Sequence, residues 1–141
     1  MPTFLFKTEP GEYSFQQLQA DKKTTWTGVS NAAALGHLRT ARKGDHVFIY
    51  HTGDEKAIVG LAKILTAPYA DPAAPGLNAR GEIATPIIDL APIKAAKSPL
   101  TLAQIKADKR FADFALVKQS RLSIMAVPEK LDAIIREFTG L

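Results

Sequence analysis

Four short clusters, each mixing polar residues with small or aromatic neighbours, hold whatever chemistry this chain can do. The single tryptophan, Trp26, lies in the polar stretch Thr24-Thr25-Trp26-Thr27-Gly28-Val29-Ser30-Asn31. A large flat ring flanked by hydroxyl residues and a glycine suits a wall on which another flat group stacks. Stacking of a nucleobase on such a ring contributes roughly 1–3 kcal/mol and tolerates many bases. The same placement suits a core or rim filler whose indole N–H has found a partner. Asn31, closing that stretch, can cap a helix or pair bidentately with a base edge, being both donor and acceptor. Lys7-Thr8-Glu9-Pro10 ends a strand with a proline, a rigid place from which side chains can face a pocket or simply a turn. Tyr50-His51-Thr52 offers a second aromatic wall or a core residue. His51 alternates to the face opposite Tyr50, so the two line one pocket only across a bulge. In Gln119-Ser120-Arg121-Leu122-Ser123, Arg121 can grip a phosphate or pair with a carboxylate, and Ser123 adds a hydroxyl.

Several chemistries are excluded. The chain has no cysteine, which removes thiolate metal sites, disulfides and a cysteine nucleophile. His46 and His51 lie five apart on one expected strand and point to opposite faces, so with His37 they do not read as a zinc site. No nucleophile elbow, phosphate-binding loop or dinucleotide fingerprint is present. No catalytic residue, metal or cofactor is therefore assigned. A net charge of +4 over 141 residues fits an anionic partner. The basic residues are scattered, at Lys22-Lys23, Arg39/Arg42-Lys43 and Lys106/Lys109-Arg110, and read as solvated faces. The start Met1-Pro2-Thr3-Phe4 does not read as a signal peptide, and no apolar run approaches ~18 residues. The expectation is a monomeric, cytoplasmic protein with no membrane contact, residues 1–141 forming one domain.

These clusters need elements to hold them. Phe4-Leu5-Phe6 reads as a buried strand, and Ser14 with Gln17 has capping-box spacing for a first helix. Asn31 caps a second helix, with Leu35 and Leu38 inward and Arg39 and Arg42 toward water. Lys43-Gly44-Asp45 turns into the strand His46–His51, and a hairpin through Thr52–Glu55 leads into the strand 57–64. Gly60 within it implies a bulge or a close backbone approach. Residues 68–82 are a proline- and glycine-rich surface loop, and 85–93 a strand whose Pro86 and Pro92 place it near an edge or lie at its ends. Thr101 and Gln104 cap a short helix, 115–117 and 122–127 are strands, and Pro128 opens a last helix. Leu131, Ile134, Ile135 and Phe138 form its inward face, and Gly140 ends it. Strands interleaved with short helices indicate an α+β fold around a curled, mostly antiparallel sheet.

In order along the chain, several stretches together resemble the EVE domain family. They are Phe4–Pro10, Glu12–Phe15, Trp26–Val29 with Asn31, Lys43–Asp45, Phe48–His51, Ile58–Gly60, Tyr69/Asp71/Pro72, Arg121–Ser123 and Val127-Pro128. The resemblance implies a PUA-like β-barrel flanked by short helices, related to the YTH domain that reads a methylated base in RNA. It also implies a non-catalytic module that binds a modified nucleobase, a modified cytosine in DNA or a base in RNA, flipped into an aromatic pocket. By the same resemblance Trp26 is the stacking wall. Lys7, Thr8, Thr27, Gly28, Asn31 and Tyr50 line the pocket, and Arg121, Leu122 and Ser123 close it or touch the flanking backbone. The family's usual Val-Arg-Asn-Tyr-Gln-Ala is Val29-Ser30-Asn31-Ala32-Ala33-Ala34 here. Serine cannot grip a phosphate bidentately as arginine does, so the expected partner is a single-stranded or flipped-out modified base rather than intact duplex. Two other readings stand beside this one: a PUA-like nucleoside hydrolase using Lys7, Glu9 and Thr8, and a protein-interaction or small-ligand module that has lost base recognition.

Overall fold

Apolar runs set the inner strands, and the polar ends of those runs set the cleft. A computed structural model of the chain describes residues 2–141. Strand β1 (Thr3–Thr8) runs parallel to β3 (His46–His51) and antiparallel to β7 (Ile124–Val127). Lying between two neighbours, β1 buries Phe4, Leu5 and Phe6 in succession, the continuous apolar pattern of a strand covered on both faces. Strand β4 (Ala57–Ile64) pairs with β3 in the expected hairpin and with the long β6 (Pro86–Thr101). The three-residue β2 (Thr24–Trp26) adds to β6, and β5 (Tyr69–Ala70) pairs with β6 near its start.

The sheet path is β2-β6-β4-β3-β1-β7, with all pairings but β1–β3 antiparallel. Its curl is measurable. Trp26 on β2 and Phe6 on β1 are four strand spacings apart, about 19 Å in a flat sheet. Their ring centroids are 5.4 Å apart. The sheet has therefore rolled into a half-barrel, bringing the β2 edge back toward β1 around one apolar core.

Gly60 is where this curl and the first helix meet. The β4 pairings shift register beside it, as its place in the sequence implied. A Cβ there would sit 2.5 Å from the ring of Phe15, the first residue of α1 (Phe15–Asp21). The missing side chain is what lets α1 lie against the sheet. At its start, the Phe15 N–H donates to Nε2 of buried His51, 3.0 Å away. That bond leaves the proton on Nδ1, which donates to Glu55 at 2.7 Å.

The remaining helices are α2 (Ala32–Thr40), α3 (Leu102–Ala107), α4 (Ala115–Lys118) and α5 (Glu129–Thr139), with a 3-10 turn at Lys109–Phe111. Thr101 and Gln104 form a complete capping box. Ser14 caps α1 through the Gln17 N–H, but the Gln17 side chain donates to Asp21 instead of closing the box.

Several expectations are corrected. Residues 115–117 are the helix α4, not a strand, because the turn before them carries the chain on with helical hydrogen bonds from Phe114. The strand expected at 85–93 continues to Thr101 and lies between β2 and β4; Pro86 is its first residue, as expected of a proline at a strand end, and Pro92 sits beside a register shift. Phe138 is 46% exposed, since α5 buries the stripe Leu131, Ile135 and Thr139 and leaves Phe138 at its margin. Pro128 is the cap before α5. Arg39 does not point to open water: its Nε and Nη2 donate to the carbonyls of Ile83 and Ala84. Among the described residues no helix is long and apolar enough to cross a membrane.

Candidate nucleobase-binding cleft

A cleft of about 540 Å³ opens where the end of β1, strand β2 with the loop after it, and the segment before β7 come together. Its volume lies in the range of small-molecule sites, ample for one nucleobase. Of the residues anticipated from sequence, Lys7, Thr8, Trp26, Thr27, Gly28, Asn31, Arg121 and Ser123 line it.

Trp26 is placed by β2 rather than by an irregular stretch. It is half-buried, tilted 50° against Phe6, and meets Tyr13 edge-on at 6.4 Å between centroids. An indole supported on two sides presents a fixed wall, and offset or edge-on contacts of this kind are the favourable aromatic geometries. Trp26 both packs against the core and lines the cleft.

The second wall follows from strand pairing. Because Phe6 pairs with Ile124, the segment before β7 lies beside the end of β1, where the Lys7 N–H donates to Ser123 O at 2.9 Å. Side chains alternate there. Arg121 and Ser123 line the cleft, whereas Leu122 turns into the core and is 5% exposed. Leu122 is thus a packing residue, not a lining one. Tyr50 is likewise withdrawn. It pairs with Lys7 across the β1–β3 ladder and is 3% exposed, with the Lys7 ammonium 5.9 Å from its ring centroid. Lys7 covers the aromatic face that was expected to be open.

The polar groups are mostly donors. The Lys7 ammonium donates to Ser120 O at 3.0 Å, and burial pushes its pKa below the usual lysine range. Asn31 caps α2, its Oδ1 accepting from the Ala34 N–H at 3.0 Å, which leaves both amide hydrogens for a ligand. Thr8 gives its hydroxyl proton to Tyr13 O at 2.7 Å, which fixes the turn that carries Tyr13. Glu9 also reaches the cleft, but its carboxylate accepts from the Gly11 N–H at 3.1 Å and from the Thr52 hydroxyl at 3.3 Å.

Glu12, Tyr13, Thr24 and Thr25 line the cleft without having been anticipated as lining residues. Tyr13 had a signal, for an aromatic just before an N-cap residue is held at the helix entrance. Its hydroxyl donates to Asp21 at 2.9 Å. Burial raises its pKa first, Thr24 opposes the rise, and Asp21 adds to it. Thr24 and Thr25 gave no such signal, because their exposure depends on a strand pairing that three polar residues do not advertise. Among the described residues, no group of three or more histidine or acidic side chains could hold a metal ion.

Comparison with known proteins identifies the family and the fold. The profile of the EVE domain matches residues 3–138. Thymocyte nuclear protein 1 of Homo sapiens is 35% identical, over 48% of this chain and 36% of its own length. The chain thus spans little more than a third of the curated relatives it matches. The structure of Rpa0253 from Rhodopseudomonas palustris superposes with a TM-score of 0.88 at 37% identity, covering 99% of this chain and 94% of that one. The human THYN1 protein, solved in complex with 5-methylcytosine-containing DNA, shares the fold. Its TM-score is 0.85 at 23% identity, with 97% of each chain covered.

Proposed function

We propose that this chain, which belongs to the EVE domain family, is a non-catalytic nucleic-acid-binding module that takes a modified base against Trp26. The observation that carries this reading is the wall itself: the only tryptophan lines a base-sized cleft and is supported by Phe6 and Tyr13. The DNA complex of the human relative supports the partner class. Lys7, Asn31 and Arg121 leave donors at the cleft, suited to the acceptor edge of a base or to the phosphates beside it. With serine at position 30 and scattered basic residues, the module favours bases that are already unpaired, whose extrusion costs least.

A hydrolytic role is less well served. The Thr8 hydroxyl proton goes to Tyr13 O, Glu9 accepts from the Gly11 N–H and the Thr52 hydroxyl, and the Lys7 ammonium donates to Ser120 O rather than to either cleft carboxylate, Glu9 or Glu12. The test is calorimetric titration with modified and plain nucleosides and single-stranded oligonucleotides. Trp26→Ala is expected to weaken binding of the preferred base by about 5- to 150-fold, matching roughly 1–3 kcal/mol of stacking. Equal affinity of wild type and Trp26→Ala sinks the proposal.

A further inference from the structure

Strand β2 carries the stacking wall, yet it has only three residues and pairs with one neighbour. So short an edge is marginal by itself. Its inner face is held by Trp26 on Phe6. Its outer face is held by the Thr25 hydroxyl, which donates to Oδ1 of Asp89 on β6 at 3.0 Å. The same oxygen accepts from the Tyr69 hydroxyl on β5 at 2.7 Å. Asp89 is itself fixed, its N–H donating to the Thr66 hydroxyl at 3.1 Å.

From Tyr69 the chain enters the loop 71–85, whose ends are tied by the Asp71 N–H on Thr85 O at 3.1 Å. Across that loop, Arg39 of α2 grips two successive carbonyls, Ile83 O at 2.9 Å and Ala84 O at 3.1 Å. Helix α2 is the one that Asn31 caps at the cleft. Hydrogen bonds joined by short runs of main chain thus leave the cleft lining at Thr25, pass outside the barrel, and return through Arg39 to the helix that begins at Asn31.

We infer that the loop 71–85, with Tyr69, Asp89 and Arg39, is a brace that fixes β2 relative to the start of α2, and so the spacing of Trp26 and Asn31 in the cleft. None of the three side chains lines the cleft, so each is a positioning residue. A loop of this length without regular structure is uncommon unless it has a task. Bracing gives it one. Stacking on Trp26 and edge contact with Asn31 must be satisfied together, so small changes in their spacing act on affinity more than on folding.

The test has two arms. Acrylamide quenching of Trp26 in the free protein reads the wall directly. Base affinity reads its consequence and rests on the base-reading proposal. Asp89→Ala is expected to raise the quenching and to weaken base binding about tenfold. Asp89→Asn is expected to restore both, because its amide oxygen still accepts from the two hydroxyls. Arg39→Ala acts from the other end and is expected to weaken binding likewise. As a control, Thr139→Val removes the 2.6 Å bond to Ile135 O, inside α5 and away from the cleft, and is expected to change neither readout. Unchanged quenching in Asp89→Ala, failure of Asp89→Asn to restore it, or an equal loss in Thr139→Val overturns the brace. If no base binds even the wild type, base reading fails, and the quenching arm alone still decides the brace.

Discussion

Replacing Gly60 with alanine puts a methyl group where the structure has none to spare. The new Cβ would lie 2.5, 2.5 and 2.6 Å from three carbons of the Phe15 ring. Carbon atoms prefer ~3.5–4.0 Å, so the overlap is about 1 Å at three atoms. Neither side yields easily. Strand β4 is bonded on both edges, and Phe15 is 1% exposed with its N–H held by His51. Overpacking of this kind costs ~1–3 kcal/mol. Expelling the ring forfeits ~3 kcal/mol of burial, which bounds the other route. We therefore expect Gly60→Ala to cost about 3 kcal/mol, and a chain of this size to lose about 10 °C in Tm. Phe15→Leu removes the clashing ring atoms and alone costs about 1 kcal/mol. Adding it to Gly60→Ala is expected to raise Tm above that of Gly60→Ala, a coupling of at least ~1 kcal/mol. Thermal melts followed by far-ultraviolet circular dichroism, with urea titrations for the free energies, measure all four proteins. A Gly60→Ala Tm within about 2 °C of wild type, or simple additivity in the double variant, refutes the packing argument.

Asn31→Asp keeps an oxygen for the Ala34 N–H but removes the amide donors. Tm should hold while base affinity falls, whereas Asn31→Ala should lose both, with about 1 kcal/mol of stability. Calorimetry beside thermal melts separates the two effects. His46 is pushed below the ordinary histidine range by burial first and then by Arg136, whose Nη2 donates to Nδ1 at 2.9 Å. The unfolded chain therefore takes up this proton at higher pH than the folded one, so the contribution is complete above the unfolded value, about 6.5. It is lost as pH falls through that value toward the folded one. The Tm advantage of wild type over His46→Gln should shrink between pH 7.5 and 5, and a constant gap contradicts the assignment.

The sheet and its core were legible because burial on both faces writes itself as unbroken apolar runs, as in Phe4-Leu5-Phe6 and Val47-Phe48-Ile49. Gly60 was legible for a similar reason, since a glycine inside a good strand demands an explanation. Helix starts were legible where a cap has a distinctive side chain, at Ser14, Asn31 and Thr101. What failed depended on partners distant in sequence. Strand β2 exists because β6 offers it an edge, and Thr24-Thr25-Trp26 carries no alternation strong enough to announce that. Residues 115–117 have strand-like composition but follow a turn that continues as helix.

The cleft divides the same way. Ordered clusters marked Lys7, Trp26, Asn31 and Arg121, but whether a neighbour shares the cleft is decided by register. Leu122 alternates inward between Arg121 and Ser123, and Tyr50 lies beneath Lys7. Arg39, read as a solvated cation, is bonded to carbonyls more than forty residues away. No local pattern encodes that.

The central claim is that a modified base stacks on Trp26, and the lone tryptophan reports on it directly. Its fluorescence should be followed while the protein is titrated with plain and modified nucleosides and short single-stranded oligonucleotides. The account predicts saturable quenching by a modified base, much weaker quenching by its unmodified parent, and a decline in affinity with salt. That decline should be shallow, because few phosphates are engaged. Unchanged fluorescence across the whole panel, with no heat of binding, contradicts it and would mark the chain as an interaction module that kept the fold and lost the base.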